Sequence, residues 1–93
     1  MSNYVPNQQK KKRILQQREV ELRHALRHGV APEKIERAAT RVREAHVRAL
    51  NAQLAQLPPE ASDWEAAERE RLLAARAQWE DRSAAAVVNL YRE

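Results

Sequence analysis

The 93-residue sequence has no cysteine and no phenylalanine, and it holds a single glycine, two tryptophans and two tyrosines. Without cysteine there is no disulfide framework, no thiolate nucleophile and no Cys-based zinc site. One glycine leaves no Gly-rich loop able to cradle a phosphate with backbone amides. So few rings exclude a deep aromatic core. No run reaches the roughly 18 apolar residues of a transmembrane helix, so no membrane span is expected. The basic cluster Lys10, Lys11, Lys12 and Arg13 is followed only by Ile14 and Leu15 before Gln16. That stretch is too short for a secretory signal, and a cytoplasmic location is the expectation.

What the chain does have is helix formers. Apolar residues make up 43%, but 17 of them are alanine, beside nine Leu, seven Val and two Ile. With Arg, Glu and Gln also abundant, this composition favours long helices over sheets. A chain of this length is one domain. The predicted fold is all-α, an elongated three-helix hairpin or bundle spanning 8–93 after a short irregular N-terminal segment, 1–7.

The boundaries come from local signals. Nothing breaks a helix from Gln8 to His28, and Gly29 is a natural stop, with cationic side chains in the last turns where they suit the helix dipole. Pro32 fits the first turn of a second helix, with Glu33 and Glu36 early in it. That helix runs to Leu57 and ends at Pro58-Pro59. Ser62 and Glu65 form an S-x-x-E capping box, and no Gly or Pro follows before Tyr91. The expected helices are therefore 8–28, 32–57 and 62–91, rods of roughly 30, 38 and 45 Å. The corner LRHGVAPEKI resembles a helix-turn-helix bend. A recognition helix is short, however, and the one here runs about 25 residues, so the segment is a turn signal only.

Charge is distributed unevenly. The net +4 divides into +5 over residues 1–31, +2 over 32–57 and −3 over 58–93. The first helix places Ile14, Leu15, Leu22, Ala25 and Leu26 on one side, with Lys12, Arg13, Arg23, His24 and Arg27 opposite, and Val20 as an apolar intruder. Arg18 points into the apolar side, where its long stem can lie along the seam toward an acid of the third helix. The second helix turns Ile35, Ala38, Ala39, Val42, Ala45, Ala49 and Leu50 inward and lines another edge with Lys34, Arg37, Arg41 and Arg48. An aligned pair would present two basic ridges along one side, separated by a groove. Lys10, Lys11, Lys12 and Arg13 sit near the positive end of a helix dipole, an arrangement that weakens the first turns until an anion covers them.

The third helix carries two apolar stripes roughly 140° apart. One is Leu72, Ala75, Trp79, Ala86 and Leu90. The other is Leu73, Ala77, Ala84, Val88 and Tyr91, and this second stripe is read as an interface with a partner protein or a second copy.

Catalytic and metal-binding constellations are sparse. His24 and His28 stand i, i+4, a spacing that can hold zinc, but the general base of H-E-x-x-H is missing and His46 lies beside the apolar seam of the second helix. No metal, cofactor or small-molecule substrate is expected, and the thin core leaves little room for an enclosed pocket. The expectation is a non-enzymatic interaction protein, such as an adaptor, an assembly subunit or an inhibitor of a larger complex. It would dock through the second stripe and through Lys10, Lys11, Lys12, Arg13, Arg23, Arg27, Lys34, Arg37, Arg41 and Arg48. The alternative is a nucleic-acid-binding accessory protein contacting the DNA or RNA backbone with the same cations. Tyr4 is the only ring before Trp64, so base stacking would contribute little.

Overall fold

The computed structural model describes residues 6–58 and 62–92. They form four helices, α1 (Pro6–His28), α2 (Pro32–Gln56), α3 (Asp63–Asp81) and α4 (Ala84–Tyr91). The fold is all-α, with one helix more than the sequence signals suggest.

α1 starts two residues earlier than expected, at Pro6, whose fixed φ suits a first helical position. Residues 1–5 of the expected irregular segment lie outside the described residues. The earlier start moves Lys10–Arg13 out of the first turn, where the dipole acts most strongly, and the helix runs through them without a break. At the other end Gly29 takes φ +60°. The Val30 amide donates to the Ala25 carbonyl at 3.3 Å, the bond of a Schellman motif.

α2 begins at Pro32 behind Ala31, which supplies no side-chain cap. α3 begins with the expected capping box. Ser62 Oγ accepts from the Glu65 amide at 3.3 Å, and the Ser62 amide donates to Glu65 Oε1 at 3.2 Å. The expected single helix over 62–91 then breaks at Arg82 and Ser83, both in extended conformation. Ser83 Oγ accepts from the Ala86 amide at 3.1 Å and so caps a new helix. Arg43 Nη1 of α2 donates to the Arg82 carbonyl freed by the break, at 2.9 Å.

This break sets the packing. α2 touches every other helix, α4 also reaches α1, and the backbones of α1 and α3 do not approach each other among the described residues. The α2–α3 pairs Arg43/Arg82, Asn51/Arg76 and Pro58/Arg69 run in opposite chain directions, so the two helices are antiparallel. The core gathers Leu22 from α1, Ala39 and Val42 from α2, and Val87 and Val88 from α4, with Leu26, Ile35, Trp79 and Tyr91 around it. Fully burying a side chain such as Leu22 contributes about 1.5–3 kcal/mol. The molecule extends 47 × 30 × 19 Å, with a radius of gyration of 15.4 Å against about 12 Å for a compact domain of this length. Most side chains of these thin rods stay near water.

Candidate functional site

One polar cluster ties the four helices together. Glu19 (α1) accepts a hydrogen bond from the Tyr91 hydroxyl (α4). His46 Nε2 (α2) lies 3.3 Å from the Tyr91 oxygen and 3.7 Å from Glu19 Oε2. The hydroxyl has one proton and gives it to an acceptor-only carboxylate. A neutral His46 must therefore donate from Nε2 to complete the set, which assigns the Nε2–H tautomer. The imidazole stacks on Trp79 of α3 with ring centroids 3.7 Å apart and planes tilted by 8°. Arg82 covers the Trp79 ring at 4.3 Å, and Arg23 covers the Tyr91 ring at 5.1 Å.

Burial lowers the His46 pKa from its ordinary value. Glu19 opposes that shift, and Arg82 reinforces it. The Tyr91 hydroxyl is held well above its ordinary range, first by burial and then by its bond to Glu19. The phenol therefore stays protonated and acts as a donor. The position of His46 beside the α2 seam was legible from periodicity. Glu19 and Tyr91 were not, because Tyr91 stood on the stripe assigned to a partner.

Arg18 does not reach α3. It bonds both carboxylate oxygens of Glu21, three residues on in its own helix, at 3.2 Å each. The physical reason is that α1 and α3 are not neighbours, so no acid of α3 lies within reach. His24 and His28 lie with ring centroids 4.2 Å apart, their planes tilted by 40°, on the exposed flank of α1. His46 is turned into the cluster above, so the three imidazoles do not converge.

The second apolar stripe is not one surface. The break at Ser83 resets the helical phase, so Val88 is buried at 7% exposure and Ala84 and Tyr91 pack against the same core. Leu73, at 39% exposed, and Ala77 remain on the outside of α3. Trp64, Val20 and Leu90 are the other large apolar side chains at the surface.

The basic residues divide into two groups by what they touch. Arg43 and Arg69 cap backbone carbonyls, Arg71 pairs with Glu68, and Arg76 holds Asn51 Oδ1 at 2.8 Å. Arg18 and Arg82 are engaged as described. By contrast, among the described residues none of Lys10, Lys11, Lys12, Arg13, Arg23, Arg27, Lys34, Arg37, Arg41 and Arg48 makes an ion pair. All but the half-buried Lys11 are exposed. Arg37 reaches only the Glu33 carbonyl of its own helix, at 3.5 Å.

Lys34, Arg37, Arg41 and Arg48 fall within an arc of about 60° along roughly 21 Å of α2. Arg23 and Arg27 border a different surface, a cleft of about 260 Å³ closed by Tyr91 and Arg92 of the α4 end. Arg48 borders a shallow depression with Glu80 of α3. The cations of α1 and α2 therefore do not all flank one groove. Comparison with known protein families, with curated proteins and with solved structures finds no match to this chain.

Proposed function

We propose that this chain is a non-enzymatic helical interaction protein, an adaptor, assembly subunit or inhibitor of a larger complex, that docks through the cationic faces of α1 and α2. The observation that supports this reading is the division of its basic residues. Those of α3 and its flanking turns serve internal contacts, whereas ten on α1 and α2 have no acidic partner among the described residues. An anionic partner would meet cations with no internal ion pair to break, which favours fast, steered association. The apolar contribution to docking narrows to Leu73 and Ala77, the part of the second stripe that stays outside the core.

A second reading, a nucleic-acid-binding accessory protein, is favoured by the α2 arc, whose four cations suit a row of backbone phosphates. A photo-crosslinking side chain placed at Arg41 in cells tests both, with one at Arg71 as the control. Discrete protein adducts at position 41 and none at 71 support docking on a protein. Adducts that disappear with nuclease favour the second reading. No adduct at position 41 overturns both.

A further inference from the structure

A cleft of about 260 Å³ lies between α1 and the end of α4. Its walls are Arg23, Leu26 and Arg27 on α1, Tyr91 in the last turn of α4 and Arg92 at its C-cap. Three arginines line it, and among the described residues no acidic side chain does. Glu19, the partner of the Tyr91 hydroxyl, also faces His46, so its charge is directed into the helix bundle. The same bond turns the Tyr91 hydroxyl inward, and Arg23 rests over the Tyr91 ring at 5.1 Å. Tyr91 thus acts as a wall that holds one arginine in place.

From this arrangement we infer that the cleft binds a phosphoryl group, as inorganic phosphate or a phosphate monoester. Guanidinium forks match oxyanions through paired N–H donors. A carboxylate offers two coplanar oxygens and is satisfied by one fork. A phosphoryl group offers three oxygens in different directions, which suits arginines arriving from two helices. The cleft is smaller than the roughly 300–1,000 Å³ sites that enclose drug-sized ligands, so it suits one ionic group with part of its carrier. Arg27 in the last turn of α1 and Arg92 at the C-cap of α4 also sit where helix dipoles favour cations, which orders them before the anion arrives. The cleft shares Arg23 and Arg27 with the cationic face of α1, but the inference does not rest on the docking reading, because a phosphoryl group here also needs Tyr91 and Arg92, which take no part in that surface.

The test is an NMR titration of the arginine side-chain Nε–H signals with inorganic phosphate near neutral pH, at ionic strength held constant with chloride. The expected result is a saturable shift of the Arg23, Arg27 and Arg92 signals, stronger than with acetate. Arg27→Gln and Arg92→Gln should each weaken binding roughly tenfold, the loss of one charge-assisted contact. Arg71→Gln, at a position paired with Glu68, should leave it unchanged. Both test positions are exposed, so the fold should tolerate them. A shift that stays linear, that acetate reproduces, or that Arg71→Gln weakens as much as Arg27→Gln overturns the site. None of these outcomes bears on crosslinking at Arg41, so this inference and the docking reading fail separately.

Discussion

The Tyr91 hydroxyl donates to the Glu19 carboxylate and so fastens the last turn of α4 to the middle of α1, 72 residues away in sequence. The neighbouring His46 and the Trp79 ring beneath it bring α2 and α3 into the same cluster. α4 is only eight residues long and would not hold as a helix on its own. Its position therefore depends on this bond and on Val87 and Val88. Tyr91→Phe should cost about 1–2 kcal/mol, the lower part of the usual range for a charged hydrogen bond, because Glu19 keeps some access to water. Urea melts followed by helical circular dichroism measure it, and the signal before unfolding should match that of the parent.

His46 gives the fold an acid sensitivity. Its folded pKa lies below 6.5 because burial disfavours the cation. Unfolded chains therefore bind its proton more readily than folded ones. The stability it contributes is complete above that value and is lost as pH falls below it, through the folded pKa. An NMR titration should place the His46 midpoint under 6.5, and His46→Gln should flatten the acid limb of the stability profile. A midpoint at or above 6.5 would show that the attraction of Glu19 outweighs burial.

Much of the architecture was legible in single residues. Gly29, Pro32 and the Ser62–Glu65 pair mark three helix ends because each supplies a backbone conformation or a donor–acceptor pair that helix termini require. The break at Arg82-Ser83 has no Gly or Pro and no acid three residues after the serine, so it reads as helix interior. Its trace was the pair of apolar stripes about 140° apart. A continuous helix with two such stripes needs two partners, whereas two short helices of different phase need only one core. Ala84, Val88 and Tyr91 are one face of α4, and they left the interface for that reason. The exposure of the α1 and α2 cations followed from periodicity. Which surfaces they border depends on where α4 lands, and helical spacing does not report that.

Ser83 should therefore matter more than its exposed position suggests. Ser83→Ala removes the acceptor for the Ala86 amide and should cost about 1 kcal/mol, as N-cap losses generally do. It should also favour a continuous α3–α4 helix that draws Val87 and Val88 out of the core. The measurement is thermal melting together with binding of a dye that reports exposed apolar surface. Lower stability and greater dye binding are both expected.

The start of α2 invites the opposite change. Ala31 is exposed, and although its carbonyl accepts from the Lys34 amide at 2.9 Å, it provides no side-chain acceptor for the first amides of the helix. Ala31→Ser should add about 0.5–1 kcal/mol by supplying one. Gly29→Ala, two residues earlier, should cost about 1–2 kcal/mol through its positive φ alone, since nothing lies within 4 Å of the new methyl group. Paired chemical denaturation curves measure both.

The most direct test of the account is the salt dependence of heparin binding by the parent and by a variant with Lys34, Arg37, Arg41 and Arg48 all changed to Gln. If those cations meet the polyanion, the slope of log affinity against log salt should fall by about 3–4 in the variant, while helicity is retained. A slope equal to that of the parent would mean that the α2 arc is only solvated, and that the cationic faces are not where this protein meets its partner.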